Sequence, residues 1–359
     1  MTQKRVVLTA LLCMACIVAA TGCAGAKVAY NYKDFTLIPL PSWTNKYAKT
    51  DLGDMSYFKM SALVETLNLT RLQAVELQNH FRDLTAGGVP AQNAFTQALD
   101  RVRENRFESR LDPEKLKNAP FIVVFDVDET ILQQYYTRWK EGSAYYDYKI
   151  VFSDGTRGIS MAPGWQEIMK TIKKLGGLVV IYSANTDEAV WKIVNTVTID
   201  EQKLDTFVDG ILTNNYLILQ GKEEWVQSGK PLNNPIVIPA KDLSFMDSTL
   251  SKIIIIDDNP IRIIQNLWLR LPKKYQADEY YSKPEAAAVY QQQLLKIAAE
   301  IEESAAYAEK NGISFSKAYL PYTQLGQVTL HWLIQSGSYT DDQAIDFIRK
   351  NPDIVDKNF

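Results

Sequence analysis

Two kinds of hydrophobic pattern alternate along the chain. In residues 51–112, Leu63, Leu67, Ala74, Leu77, Phe81 and Leu84 recur at intervals that share one face of a helix. Gly87-Gly88-Val89-Pro90 interrupts the stripe, and residues 91–102 resume it. His80 lies inside this stretch, away from any acidic cluster, and reads as structural. The centre differs. Residues 121–125, 178–182 and 253–256 are continuous apolar runs, the pattern of strands buried on both faces. Helical patterns over residues 166–175 and 188–197 separate them. This succession predicts an α/β fold built on a doubly wound parallel sheet. Residues 149–152 and 157–161 flank Ser153-Asp154-Gly155-Thr156, whose Asp-Gly predicts a β-hairpin inserted after the first strand. The tail is helical again. Ser282-Lys283-Pro284-Glu285 predicts a capping box, Asn311-Gly312 a helix end, and Thr340-Asp341-Asp342-Gln343 another start.

The first residues follow a different logic. Lys4 and Arg5 precede an uncharged apolar run over residues 6–20, which is short for a membrane span and ends in Ala20-Thr21-Gly22-Cys23. That order resembles a bacterial lipobox, which implies cleavage before Cys23 and lipidation of Cys23. The rival reading is an ordinary signal peptide whose cysteine is incidental. The three cysteines are Cys13, Cys16 and Cys23, so cleavage there leaves no free thiol, which suits an oxidising envelope compartment. The organisation read from the chain is therefore a leader over 1–22, a tether over 23–50, a helical segment over 51–112, an α/β core over 113–270 and a C-terminal helical segment over 271–359.

Composition narrows the chemistry. With 46% hydrophobic and 23% charged residues the chain is ordinary globular protein. Its net charge of −3 comes without a basic run, so nothing points to a nucleic-acid partner. His80 and His331 are the two histidines, which leaves carboxylates as the candidates for catalysis.

The first apolar run leads directly into Asp126-Val127-Asp128-Glu129-Thr130. Asp126 can attack phosphorus and form an aspartyl-phosphate, and Asp128 can give and take the proton. An anion attacking an anion needs a divalent cation, and Mg²⁺ takes oxygen ligands of this kind. Alternatively, the motif is an acidic turn capping the next helix. Position favours chemistry, because open α/β sheets place their sites beyond the carboxyl ends of the strands. The second run ends in Ser183, able to bind a phosphoryl oxygen, and the third in Asp257-Asp258, able to complete a metal shell.

These segments resemble the haloacid dehalogenase-like superfamily, and within it the NLI-interacting-factor-like, or small C-terminal-domain, phosphatases. Phe125 through Leu132 looks like their first motif, the hairpin followed by Ala162-Pro163-Gly164-Trp165 like their insertion and entry to the next helix, and Lys241-Asp242-Leu243-Ser244 with residues 250–260 like their third and fourth motifs. The resemblance implies a phosphatase with Asp126 as nucleophile and Asp128 as acid/base. It implies Thr130, Ser183 and Lys241 on the phosphate, and Mg²⁺ held by Asp126, Asp128, Asp257 and Asp258, with Asp128 contributing its backbone carbonyl. Asp257 would orient Lys241 or a metal-bound water. Asp258 stands where the family usually has Asn. Lys252, at the start of its strand, is expected to be solvated, and Lys230 lies in a polar loop. The stretch over 185–240 is longer than usual and reads as an added lid. The class C acid phosphatases share a similar first motif and often a lipid anchor, and a catalytically silent envelope binding lipoprotein is a third reading. Expected partners are a phosphorylated small molecule or phosphoprotein, and a membrane through the anchor.

If the lipobox reading holds, Cys23→Ser leaves an unprocessed precursor. Mass spectrometry of the mature N-terminus checks it, and an unmodified terminus elsewhere rules it out.

Overall fold

The computed structural model describes residues 30–36, 58–136, 145–219 and 239–357. The leader, Cys23, residues 24–29 and 37–50 of the expected tether, Lys230 and residues 220–238 of the expected lid over 185–240 lie outside the described residues. The chain divides into two compact units, residues 1–34 and 35–359. The central sheet and the helices that cover it belong to the second unit. Among the described residues, no helix is long and apolar enough to cross a membrane.

Five strands form the central sheet: β1 (Ile122–Phe125), β5 (Leu178–Tyr182), β6 (Gly210–Leu212), β7 (Ile253–Ile256) and β8 (Leu269–Arg270), every pairing parallel, in the order β8-β7-β1-β5-β6. The three apolar runs are thus its three adjacent central strands. Val123, Phe125, Val179, Ile181, Ile254 and Ile256 join one continuous core with the helices Trp165–Lys174, Asp187–Thr196 and Pro284–Asn311. Ile122, Val124, Val180 and Ile255, of opposite parity, are also fully buried, so both faces are covered. From β1 the chain steps outward to β5 and β6, then returns to the other side of β1 for β7 and β8. The winding direction reverses between β1 and β7, the position at which such sheets form ligand crevices.

The hairpin forms, and it gains a strand the sequence pattern did not reveal. β2 (Leu132–Tyr136) pairs with β4 (Gly155–Met161), which pairs with β3 (Tyr148–Phe152), all antiparallel. The hairpin tip docks on the helix Asp187–Thr196, where Ser153 N–H donates to Glu188 Oε1 (2.8 Å) and Lys192 Nζ donates to the Val151 carbonyl (2.9 Å).

Several expectations about the flanks change. The helix Pro284–Asn311 begins at Pro284 with Lys283 as N-cap and no side-chain cap, because Ser282 ends the preceding helix Ala277–Ser282 and donates to its Asp278 carbonyl; the expected capping box does not form. Gly312 ends that helix in the left-handed region (φ 63°), and Thr340 with Gln343 forms the capping box of Asp341–Lys350, both as expected. The C-terminal helix belongs to the core: Tyr290, Leu294, Ile297 and Ile301 pack in the cluster that holds Trp165, Ile168, Met169 and Ile172. Glu300 also takes a two-pronged bond from Arg270 on β8 (2.8 and 3.0 Å). Lys252 lies at the amino end of its strand as expected, but it is not simply solvated. Its ammonium donates to the carbonyls of Leu116 (2.5 Å) and Lys117 (2.8 Å), closing the end of the helix Pro113–Asn118.

The N-terminal flank is more polar inside than its stripe suggested. The helix Arg71–Ala86 buries Glu76, Gln78, Asn79 and His80 beside its apolar residues. Glu76 accepts from the N–H groups of Glu108 (3.0 Å) and Ser109 (3.2 Å) and from the Tyr216 hydroxyl (3.2 Å), while burial pushes its carboxyl up. His80 is structural, but folding brings it acidic company: Nδ1 faces Glu108 at 2.9 Å and Nε2 the Arg106 carbonyl at 2.7 Å.

Packing of the last helices into the core has a measurable consequence. Ile297→Ala should lower unfolding stability by about 2–5 kcal/mol, whereas Leu295→Ala, on the exposed face, should change it by about 0.5 kcal/mol or less. Urea titration of both variants checks this, and equal small effects would detach the helix from the core.

Candidate active site

The carboxyl ends of β1, β5 and β7 bring the candidate residues together. Phe125 stands level with Ile181 on one side and Ile256 on the other. The next residues, Asp126 and Asp257, therefore leave neighbouring strands at the same height. Sheet bonding extends past the strands, with Asp126 N–H on the Ile256 carbonyl (2.9 Å) and Ser183 N–H on the Leu212 carbonyl (2.9 Å).

Lys241 arrives from a separate segment. Its N–H donates to the Arg262 carbonyl (2.7 Å), and its carbonyl accepts from Ile264 (3.1 Å), a one-residue parallel bridge beside the sheet. The side chain is 1% exposed, and its ammonium contacts Asp126 Oδ1 at 2.7 Å and Asp257 Oδ2 at 2.5 Å. Burial opposes the charge on Lys241, but Asp126 and Asp257 outweigh it and raise its pKa. Burial pushes Asp126 up, with Asp257 and Asp128 adding to the rise and Lys241 opposing it. The segment around Lys241 is fixed by the N-terminal flank: Arg71 reaches Asp242 Oδ2 at 2.5 Å, while Gln265 donates to Asp242 Oδ1 (2.7 Å).

Carboxylate oxygens of Asp126, Asp257 and Asp258 lie within 4.8 Å of one another. Three carboxylates against one ammonium leave negative charge to be neutralised, and every donor is a hard oxygen. This set fits a divalent cation such as Mg²⁺. Asp258 is held by Thr130, whose hydroxyl donates to Oδ1 (3.2 Å) and accepts from the Asp258 N–H (3.2 Å). Burial and the neighbouring Asp257 raise the Asp258 carboxyl. The phosphate-binding role expected of Thr130 does not fit this placement. Thr130 is fully buried, is absent from the cleft lining and is bonded to Asp258 in both directions. Ser183 does line the cleft; its Oγ accepts from Asn185 N–H (3.1 Å), which leaves its own O–H to donate.

The side chain of Asp128 stands outside the acidic cluster, and it is bracketed by two amides that the sequence reading missed. Gln134 Nε2 donates to Oδ1, and Asn185 Nδ2 donates to Oδ2 (3.0 Å). Donor-only groups set both amide orientations. Arg157 donates to Gln134 Oε1 (3.0 Å), and Thr186 N–H donates to Asn185 Oδ1 (2.8 Å), so each amide must turn its N–H₂ toward Asp128. Burial raises the Asp128 carboxyl, and these two bonds pull it back. Between Asp128 and Thr130, Glu129 adopts the left-handed region (φ 62°). Its N–H binds the Leu132 carbonyl (2.6 Å), its carbonyl accepts from Tyr275 (2.6 Å), and its side chain pairs with Lys274. Gln134 lies on the unpredicted strand, and no motif marks it or Asn185. The one available signal was the position of Asn185 just after the end of the second apolar run.

Above these groups opens a cleft of about 610 Å³, in the range of roughly 300–1,000 Å³ that takes a whole organic ligand. Its far wall is the three-stranded insertion, with Tyr135, Phe152 and Arg157, the guanidinium 4.4 Å over the Phe152 ring.

Comparison with known proteins adds family context. Residues 121–305 match the profile described as NLI interacting factor-like phosphatase, more than half of the chain. No curated protein sequence gives a significant match. Among solved structures, an alanine variant of the fission yeast RNA polymerase II CTD phosphatase Fcp1 bound to beryllium fluoride is similar at 14% identity and TM-score 0.32, over 70% of this chain and 72% of that one. A second Fcp1 structure, described as an essential RNA polymerase II CTD phosphatase, aligns at 15% identity and TM-score 0.33, over 66% and 71%.

Because Lys241 is buried between two carboxylates, Lys241→Met should cost about 3–5 kcal/mol by leaving them unpaired. Adding Asp257→Asn should return part of that loss. A denaturation double-mutant cycle reads the coupling, and a Lys241→Met protein as stable as wild type would contradict it.

Proposed function

The chain belongs to the NLI interacting factor-like phosphatase family, and from that premise we propose that it hydrolyses phosphate monoesters through an aspartyl-phosphate on Asp126. Family membership sets aside the catalytically silent reading and favours this phosphatase family over the class C one. The single observation that carries the mechanism is the buried contact of Lys241 with both Asp126 and Asp257 at adjacent strand ends.

In the first step an Asp126 carboxylate oxygen attacks phosphorus, the bond from phosphorus to the ester oxygen breaks, and Asp128 gives its proton to the leaving alkoxide. Lys241 neutralises Asp126 and the incoming phosphoryl group, and the Ser183 hydroxyl donates to a phosphoryl oxygen. In the second step Asp128 takes a proton from water, whose oxygen attacks phosphorus. The Asp126–phosphorus bond breaks and inorganic phosphate leaves. The two amides on Asp128 support its carboxylate form, the state needed for this second half. Asp126, Asp257 and Asp258, with the Asp128 carbonyl, would hold Mg²⁺, which when bound would supply charge neutralisation for the attack of one anion on another. Thr130 acts on this site by holding Asp258. We also propose that Cys23 carries the lipid anchor, which places the phosphatase on the outer side of a bacterial membrane, facing substrates of the envelope.

Asp126→Asn should abolish turnover and phosphoenzyme alike. Asp128→Asn should slow alkyl phosphates by about 10²–10⁴-fold and 4-nitrophenyl phosphate by less, since nitrophenolate leaves without a proton. Equal losses on both substrates would remove Asp128 as the acid. EDTA should stop turnover and Mg²⁺ restore it, and full activity in metal-free protein would overturn the Mg²⁺ assignment.

A further inference from the structure

The cleft is larger than a phosphoryl group requires, so its remaining wall bears on what else the substrate carries. Most of its charged side chains are matched within the protein. Asp154 pairs with Arg157 (2.6 Å), Glu129 with Lys274, and Glu188 with Lys192 (2.8 Å). Asp126 faces Lys241, Asp128 takes two amide donors, and Asp258 takes Thr130. Arg262 differs. It lines the same cleft and is half-buried, yet among the described residues its guanidinium has no hydrogen bond, ion pair or ring contact.

Its position is nevertheless fixed. Arg262 ends the 3-10 turn Pro260–Arg262 that follows the acidic pair, and its carbonyl accepts the Lys241 N–H at 2.7 Å. The backbone that carries Arg262 is therefore bonded to the backbone that carries the proposed phosphate-binding lysine. A guanidinium is a permanent, planar donor suited to oxyanions, and withdrawing one from water without a counter-charge costs free energy that a ligand anion offsets.

We propose that Arg262 forms a second anion-binding position. The physiological substrate would then be a phosphomonoester bearing another negative group, carboxylate or phosphoryl, set apart from the phosphoryl group that is transferred. This rests on the phosphatase reading of the site and names the substrate class that the site selects.

The test uses the full chain with Mg²⁺ and substrate pairs differing only in the second group. Glycerol 3-phosphate against 3-phosphoglycerate tests a carboxylate, and propyl phosphate against propane-1,3-diol bisphosphate tests a phosphoryl group. The quantity read is the ratio of kcat/KM within a pair, which is independent of the folded fraction of any preparation. Wild type should favour the doubly anionic member of at least one pair by about tenfold or more, the scale of one charge-assisted hydrogen bond. Arg262→Gln should bring that ratio close to one, mainly through KM, and Arg262→Lys should keep part of it. The pair that responds identifies the anion. Ratios near one in wild type, or a ratio that Arg262→Gln leaves intact, would overturn the second site while 4-nitrophenyl phosphate is still hydrolysed. Loss of 4-nitrophenyl phosphate hydrolysis in wild type itself would overturn the underlying reading as well.

Discussion

A single ammonium group, that of Lys241, sits 1% exposed between the carboxylates of Asp126 and Asp257. Taking an ion of that size out of water costs several kcal/mol, and the contact persists because two opposite charges meet it at hydrogen-bond distance. That requirement constrains much of the surrounding architecture. The two carboxylates must leave adjacent strands at one height, which the parallel register of Phe125 with Ile256 provides. The lysine must enter from outside the sheet, which its backbone bridge to Arg262 and Ile264 provides. With two carboxylates sharing one lysine and Asp258 beside them, the cluster remains net negative, and this is the charge a divalent cation fits.

Segments outside the sheet act by holding these groups in place. Arg71, on the N-terminal helical flank, ties Asp242 and so the residue next to Lys241. The three-stranded insertion supplies Gln134, and Arg157 on the same insertion dictates which end of that amide meets Asp128. Arg270 and Glu300 fasten the long C-terminal helix to the edge strand. The flanking helices are thereby bonded to the edge strand and to the segment that carries Lys241.

The same placement separates two acids that share one motif. The carboxylate of Asp126 enters the acidic cluster, beside Lys241. Two residues later, the carboxylate of Asp128 turns to two amides instead. The proposed mechanism assigns attack to the first and proton exchange to the second because their environments differ although their chemistry is the same.

Much of this was legible in the sequence. Short uninterrupted apolar runs fit strands buried on both faces, so residues 121–125, 178–182 and 253–256 pointed to the sheet, and the polar residues directly after them to the candidate site. Asp126, Ser183, Asp257 and Asp258 stood out as candidates because their type and their place at strand ends coincide, whereas Lys241 was singled out only by the family resemblance. Other features were invisible because they depend on partners far apart in the chain. Thr130 looks like a phosphate ligand until Asp258, 128 residues later, occupies its hydroxyl. Lys252 looks solvated until the end of the helix Pro113–Asn118 meets it, and His80 looks isolated until Glu108 folds beside it. Gln134 and Arg262 carry no local pattern at all: an amide or a guanidinium reads as surface anywhere in a sequence, and only the tertiary structure decides that both line the same cleft as Asp126 and Asp128. Periodicity records burial, which each residue expresses alone. Pairing between distant polar groups is a property of the fold.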